Sequence, residues 1–187
     1  MLDEPDSSRA NRQRLGDVTS LRVGQGFDVH AFAPGRPLIL GGVRIAHDAG
    51  LAGHSDGDAL LHALADAVLG ASGLGDIGQR FPSDDPRYAG VASEEIIRTV
   101  VAEVCSAGWM PVNVDTTVIA QAPRLVAYVP AMRTKIAELL GLDVAAVGVK
   151  AKTADHLGAL GRHEGLAALA VVLLERREGA LLSSRAP

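Results

Sequence analysis

Three side chains of metal-binding type, Asp28, His30 and His62, stand at spacings that would bring them together. Asp28 and His30 are two residues apart on a stretch typical of a strand, so both side chains share one face. His62 lies in a stretch with helical spacing, and Asp58 and Asp66 share its helical face at four residues before and after it. Two imidazoles and one carboxylate leave one coordination position open, as in a catalytic zinc site. Asp58 or Asp66 would then orient the His62 ring.

A dense polar cluster at residues 54–58, HSDGD, directly precedes the helical stretch that carries His62. The simpler interpretation is a solvated helix cap that uses Ser55 or Asp56. The functional interpretation is an anion pocket, because free backbone N–H groups and the helix dipole favour phosphate at that end. Taken alone, the cluster favours the cap, just as a single histidine is more often an ordinary hydrogen-bonded residue than a metal ligand.

Further segments have the composition of ligand-binding loops. The glycine-rich residues 74–78 form either a turn between two helices or a loop whose backbone approaches a ligand closely. Residues 120–124 follow a strand and are either a plain connection or a loop that reads a base or a phosphate. Arg162 has the planar guanidinium that grips phosphate, although an exposed arginine is the commoner case. Asp155 is of the type that holds Mg²⁺ against phosphates.

Composition excludes several classes of function. The chain has 187 residues, with 18 basic and 22 acidic side chains and a net charge of −4, so no basic excess is present to bind a nucleic-acid duplex. Aromatic residues make up only 3%, too few for a platform that stacks single-stranded bases. A lone thiol, Cys105, excludes a disulfide framework. No stretch has the length and apolarity of a membrane span or a secretory signal. We therefore expect a cytoplasmic protein with no nucleic-acid or membrane partner.

Hydrophobic periodicity predicts the elements that position these residues. Strands are expected at residues 21–30, 37–45 (broken at Gly41-Gly42), 112–120, 147–152 and 166–174, and helices at 57–71, 93–107 and 130–140. We expect Ser93 to cap the second helix. The order of elements predicts an α+β fold with helices packed on one face of a mixed sheet.

Two details of the strands carry expectations of their own. Gly24 and Gly26 in the first strand allow either a bulge or a close approach of another backbone. Residues 166–174 are nearly all apolar, which predicts a central strand, buried on both faces or at a subunit contact. We expect one domain at residues 21–175, between a polar N-terminal tail at 1–20 and a C-terminal tail at 176–187.

The motifs, taken in order, resemble those of a known family. They are RVGQGFDVH at 22–30, GHSDGD at 53–58, HA at 62–63, GDIG at 75–78, AQAP at 120–123, GR at 161–162 and EG at 164–165. The pattern is similar to that of the 2-C-methyl-D-erythritol 2,4-cyclodiphosphate synthases of the non-mevalonate isoprenoid pathway. The resemblance covers about residues 22–174, which is nearly the whole expected domain.

The resemblance implies a homotrimer with active sites between neighbouring subunits. It implies Zn²⁺, or another divalent cation, on Asp28, His30 and His62, and Mg²⁺ with the substrate phosphates at Asp155. Asp155 departs from the family, where glutamate is commoner, and Ala159 stands where phenylalanine is frequent.

The resemblance also implies roles toward a cytidine diphosphate substrate. His54 and Thr153 would stabilise the transition state, and residues 120–126 would enclose the cytidine end from the adjoining subunit. The residues implied to contact substrate are Asp28, His30, His54, Ser55, Asp76, Ile77, Gly78, Phe81, Asp85, Ala120, Gln121, Ala122, Pro123, Arg124 and Arg162.

The reaction implied is a ring closure. The 2-phosphate of 4-diphosphocytidyl-2-C-methyl-D-erythritol 2-phosphate attacks the β-phosphorus of the same molecule, and CMP leaves. Two alternatives stay open on the sequence. The first is a non-catalytic zinc- and nucleotide-binding trimer of the same fold, which the departures at Asp155 and Ala159 would fit. The second is a zinc hydrolase that acts on phosphoesters.

Overall fold

The computed structural model describes residues 20–177 except residues 83, 84 and 89. The tails expected at 1–20 and 176–187 therefore lie almost entirely outside the described residues. The strands are β1 Leu21–Pro34, β2 Leu38–Leu40, β3 Val43–Ile45, β4 Ala49–Leu51, β5 Trp109–Ile119, β6 Val147–Lys152 and β7 Gly165–Arg176. The helices are α1 Ala59–Ser72, α2 Ile77–Arg80, α3 Ser93–Ser106, α4 Val129–Leu140 and α5 Gly158–Gly161, with 3₁₀ turns at Pro86–Tyr88 and Val144–Ala146.

Five strands form one mixed sheet in the order β4-β1-β7-β5-β6. Strand β7 runs antiparallel to both β1 and β5, while β5 and β6 are parallel. Strands β2 and β3 form a separate hairpin, whose turn at Gly41 and Gly42 has positive φ at both residues. The predicted α+β fold with a mixed sheet is confirmed, and the apolar strand β7 is central as expected. None of the described helices combines the length and apolarity needed to cross a bilayer.

Helix α1 lies against β1 and β7 and is buried on nearly all sides. The contact is close because β1 has glycine where it faces the helix. A Cβ at Gly24 would lie 2.0 Å from the carbonyl oxygen of Ala67, and one at Gly26 would lie 1.8 Å from that of Ala63. The β1–β7 register is unbroken, so the close approach expected as one alternative is confirmed and the bulge is wrong. This approach brings the start of α1 beside Asp28.

The opposite face of the sheet is partly apolar and exposed. Val23 is 69% exposed, Phe27 54%, Val29 53% and Val171 44%. Val172 and Leu174, on the helix side of β7, are fully buried. Within the single chain, β7 is therefore buried on one face and not on both. The other predicted alternative, that its second face lies at a subunit contact, stays a prediction.

The start of α1 differs from the prediction. Asp58 is the N-cap, in place of Ser55 or Asp56, and its carboxylate accepts the N–H groups of Leu60 (3.1 Å) and Leu61 (3.0 Å). The same carboxylate accepts the N–H groups of the Gly41-Gly42 turn at 2.9 and 2.7 Å. Asp58 is fully buried and ties the β2–β3 hairpin to α1. Its oxygens bond to four backbone groups, so the predicted orientation of His62 by Asp58 is wrong.

The start of α3 differs as well. Ala92 is the N-cap and gives no side-chain cap bond, while Ser93 is the first helical residue. Because the Ser93 hydroxyl lies against Asp56 and His62, the expected capping by Ser93 is wrong. Strand β4 and helices α2 and α5 were not predicted, since three or four residues are too few to show a period.

Candidate active site

Asp28, His30 and His62 meet at one point where β1 passes the start of α1. Asp28 Oδ2 lies 2.8 Å from His30 Nε2 and 3.0 Å from His62 Nδ1, and these two ring nitrogens are 3.3 Å apart. Asp28 and His30 are half-buried and His62 is buried, so the three atoms are only partly open to water. The structure thus brings together the three residues that the sequence singled out as a metal site.

The donor set fits a divalent cation. His30 Nδ1 makes a short hydrogen bond with the carbonyl oxygen of Ala52. A carbonyl only accepts, so Nδ1 carries the proton and Nε2 presents a lone pair to Asp28. A carboxylate oxygen and a bare imidazole nitrogen face each other at hydrogen-bond distance, and a cation or an added proton must lie between them. One carboxylate and two imidazoles with an open side suit a catalytic zinc.

The pKa shifts of Asp28 and His30 also indicate that the cluster favours a bound positive charge. Burial opposes ionisation of Asp28, but hydrogen bonds and charge from His30 and His62 outweigh it and hold the Asp28 pKa well below its ordinary value. The hydrogen bond to Asp28 raises the pKa of His30, although burial acts against it. A site that stabilises an added proton in this way also stabilises a metal ion, so the two compete for it.

A cavity of about 300 Å³ opens beside the cluster. The predicted site residues that line it are Asp28, His30, His54, Ser55, His62, Ile77, Gly78 and Phe81. Sequence reasoning missed Tyr88, Val91 and Ile96, which complete the apolar wall. Tyr88 packs edge-on against Phe81, with ring centroids 5.2 Å apart. No local motif marks these residues, because only the tertiary fold brings the start of α3 and the preceding loop to the cavity.

The loop that carries His54 is held from two sides. Arg36 donates through Nη1 to the carbonyl of Gly53 at 2.7 Å and through Nη2 to the carbonyl of Ser55. On the other side, the N–H of Gly90 donates to the carbonyl of His54 at 2.7 Å. The backbone around His54 is therefore fixed, although its side chain is exposed. Sequence reasoning did not single out Arg36.

The carboxylates of Asp66 within α1 and of Asp76 and Asp85 after it serve the local fold. Asp66 accepts the N–H of Ile77 at 2.8 Å and so fixes the start of α2. The His62 ring contacts Asp28, Ser55 and Ser93, so its predicted orientation by Asp66 is wrong. Asp76 caps α2 through the N–H of Gln79 at 2.9 Å. Asp85 pairs with Arg87 through both of its oxygens. Asp76 and Asp85 are not among the residues that line the cavity, so their predicted substrate contacts remain predictions.

A second cavity of about 300 Å³ lies at the ends of β5 and β6. Its lining residues are Ala120, Gln121, Pro123, Arg124, Leu125, Val126, Ala151, Lys152 and Thr153, and Ala122 belongs to the same loop. The two cavities share no lining residue: His54 lines the first and Thr153 the second. Lys152 adds a cation that sequence reasoning missed.

Neither Asp155 nor Arg162 is among the residues that line the two cavities. Asp155 is exposed, and its N–H bonds to the Thr153 hydroxyl at 3.4 Å. Arg162 pairs with Glu164 at 2.7 Å, with both side chains more than half exposed. The predicted magnesium role of Asp155 and phosphate role of Arg162 therefore remain predictions.

The fold and the site define a small α+β protein with a candidate metal centre at the wall of a cavity. The model of the YgbB family matches residues 21–175. The 2-C-methyl-D-erythritol 2,4-cyclodiphosphate synthase of Bordetella avium (strain 197N) is 58% identical over 156 residues, which is 83% of this chain and 96% of that protein. The chain belongs to the YgbB family, and to the family of these synthases within it.

Solved structures agree with this membership. The bifunctional IspDF of Campylobacter jejuni superimposes with a TM-score of 0.81 at 44% identity, over 83% of this chain. This chain spans 42% of that bifunctional protein. A CDP complex of IspF from Plasmodium falciparum superimposes with a TM-score of 0.75 at 31% identity, over 85% of this chain and 98% of that one.

Proposed function

We propose that this chain converts 4-diphosphocytidyl-2-C-methyl-D-erythritol 2-phosphate into 2-C-methyl-D-erythritol 2,4-cyclodiphosphate and CMP. The observation that carries the proposal is the cluster of Asp28, His30 and His62 at the wall of a cavity that also holds His54 and Ser55. Relatives 58% identical to the chain are named as this synthase, so the non-catalytic alternative is not favoured.

The reaction asks little acid–base work of the protein. An oxygen of the 2-phosphate forms a bond to the β-phosphorus, and the bond from that phosphorus to the bridging oxygen breaks, so that CMP leaves with the electron pair. A phosphate monoester has its second pKa near ~6, so the nucleophile is largely a dianion at neutral pH. What remains is to fold the substrate back on itself and to neutralise crowded negative charge.

The residues of the first cavity suit that task, and we propose that the chain is a metal-dependent phosphorus–oxygen lyase. When bound, Zn²⁺ on Asp28, His30 and His62 and Mg²⁺ near Asp155 would supply positive charge to the phosphate oxygens. The ring of His54, on its fixed loop, would donate to a phosphoryl oxygen. The apolar wall around Phe81 would exclude water that could compete with the internal nucleophile.

We propose that three copies of the chain assemble and complete each site between neighbours. The exposed apolar face around Phe27 and Val171 requires cover, and a further copy of the chain is the partner that we assign to it. The second cavity of one subunit, with Thr153 and Arg124, would then bind the cytidine end of a substrate held in the first cavity of its neighbour. Arg162 would reach phosphate.

We further propose a cytoplasmic location, since the substrate is a highly charged metabolite.

Subunit complementation tests both the reaction and the shared site. Variants His54→Ala and Thr153→Ala, each with its own affinity tag, are made separately and together, and CMP release is followed by ³¹P NMR. We expect each single variant to be inactive and each trimer that carries both tags to have about one intact site in three, because only one neighbouring pair in such a ring supplies both His54 and Thr153. No CMP from the wild type would overturn the reaction. A wild type that is active beside mixed trimers that are not would overturn the shared site.

A further inference from the structure

A chain of hydrogen-bonded polar groups runs from the half-buried Asp56 through the buried Ser93 to the buried His62. The Ser93 hydroxyl makes a short bond with Asp56 Oδ1 and lies 3.0 Å from His62 Nε2. The backbone N–H of Ser93 also bonds to Asp56, through Oδ2 at 3.1 Å. Ser93 is 1% exposed, so water does not replace these contacts. The first residue of α3 therefore touches the side of His62 that faces away from Asp28 and His30.

The direction of the hydrogen bonds in this chain is determined. A carboxylate only accepts, so the single proton of the Ser93 hydroxyl is donated to Asp56. The Ser93 oxygen can then only accept from His62, which requires a proton on Nε2. A neutral imidazole with its proton on Nε2 presents a lone pair at Nδ1. That nitrogen is the one that lies 3.0 Å from Asp28 Oδ2.

The other neighbours of the ring do not impose this choice. Ser55 Oγ lies 3.1 Å from His62 Nε2 and accepts the N–H of Gly57, so its own proton is free to turn toward the ring. Asp28 favours the opposite arrangement, because a carboxylate near Nδ1 attracts a proton to that nitrogen. A proton on Nδ1 would block metal binding there. Among these contacts, Ser93 is thus the one that opposes the attraction of the His62 proton to Nδ1 by Asp28.

We propose that Ser93, held by Asp56, is a positioning residue that keeps the proton of His62 on Nε2 and leaves Nδ1 bare for the metal. The inference rests on the proposed metal site and deepens it. It assigns to α3 a part in a centre whose three ligands come from β1 and α1. Asp56 and Ser93 thus have the role of orienting His62 that the sequence led us to expect for Asp58 or Asp66.

The proton position is measured directly on metal-free protein. The protein is labelled with ¹⁵N-histidine, stripped of metal and studied by long-range ¹H–¹⁵N NMR at a pH where its imidazoles are neutral. We expect His62 in the wild type to carry its proton on Nε2 and in Ser93→Ala to carry it largely on Nδ1. Asp56→Asn serves as the second variant, because an amide that donates to Ser93 frees the hydroxyl proton to turn toward His62. Ser106→Ala, at the exposed far end of the same helix, is the matched control.

Metal affinity gives the second readout, by competition of Zn²⁺ or Co²⁺ with a chelator. We expect Ser93→Ala and Asp56→Asn to bind about 10- to 100-fold more weakly than the wild type, the range for partners of metal ligands, and Ser106→Ala to bind normally. A wild-type proton on Nδ1, or an unchanged proton position and affinity in the variants, overturns the inference. A wild type that binds neither metal would instead overturn the proposed metal site, while the NMR comparison would still decide the role of Ser93.

Discussion

Single atoms define the candidate centre. Asp28 Oδ2, His30 Nε2 and His62 Nδ1 all lie within 3.3 Å of one another, and the bare His30 Nε2 faces the Asp28 carboxylate unless a cation or an added proton lies between them. The pair on β1 followed from the period of two alone, because alternate residues of a strand share a face. The partners of the rings did not, since Ala52 and Ser93 are 22 and 31 residues away from the histidines that they contact.

Replacing one ligand without changing its shape tests the centre. Asp28→Asn keeps the size of the side chain but removes its charge, so we expect zinc affinity to fall by more than about 100-fold and CMP release to fall with it. Metal analysis of the purified protein and the turnover assay give the two measurements. Asp48→Asn, an exposed carboxylate in the loop before β4, is the control. Stoichiometric zinc in Asp28→Asn would remove Asp28 from the centre.

Arg36 offers a second prediction for a single residue. Its guanidinium bridges the carbonyls of Gly53 and Ser55, on either side of His54. We expect Arg36→Met to lower kcat by about 10- to 100-fold, as for a misplaced catalytic group, with zinc content unchanged. The exposed Arg44 of β3 supplies the control, Arg44→Met. If Arg36→Met keeps the wild-type kcat, the position of the His54 loop does not depend on that clamp.

At the scale of elements, the contact between β1 and α1 determines where the ligands meet. Gly26 allows the Ala63 carbonyl to lie where a Cβ would be, and Asp28 is the next residue of β1 on the same face. The helices with a full amphipathic stripe were predicted to within a few residues of their ends. The short elements β4, α2 and α5 were not, because their positions depend on contacts such as Asp66 with Ile77.

A matched pair of glycine substitutions tests this contact. Gly26→Ala places a methyl group 1.8 Å from the Ala63 carbonyl oxygen, so we expect a loss of stability of about 1–3 kcal/mol and weaker zinc binding as β1 moves away from α1. Gly70→Ala lies in α1 with open space around it, and we expect it to raise stability by about 0.5–1 kcal/mol. Urea unfolding and zinc titration measure both. Equal stability of the two variants would show that the close approach does not matter.

At the scale of the whole molecule, the two faces of β7 differ in their exposure to solvent. Val172 is fully buried against the helices, while Val171 is 44% exposed in the single chain. The apolar run of β7 predicted burial on both faces, but the sequence did not say whether the second face is covered by the same chain or by another copy. The described residues of one chain leave this second face exposed. We propose that it is covered by neighbouring subunits in a trimer.

Two adjacent substitutions separate folding from assembly. Val172→Asp buries an unpaired carboxylate at a cost of several kcal/mol, so we expect a chain that does not fold. Val171→Asp places the charge on the exposed face, so we expect a folded chain that sediments as a monomer and releases no CMP. Circular dichroism and sedimentation velocity distinguish these results. A Val171→Asp variant that remains trimeric would place the subunit contact elsewhere.

Ring closure and hydrolysis of the same substrate differ in whether a water oxygen enters the products. The wild type is incubated with 4-diphosphocytidyl-2-C-methyl-D-erythritol 2-phosphate, Mg²⁺ and Zn²⁺ in ¹⁸O-enriched water, and the products are followed by ³¹P NMR, in which ¹⁸O bound to phosphorus shifts the resonance. We expect CMP and the cyclic diphosphate in equal amounts, with no ¹⁸O in either. Incorporation of ¹⁸O into CMP or into an open-chain phosphate would contradict cyclisation and identify a phosphoester hydrolase, and binding of CDP without any release of CMP would identify a non-catalytic protein.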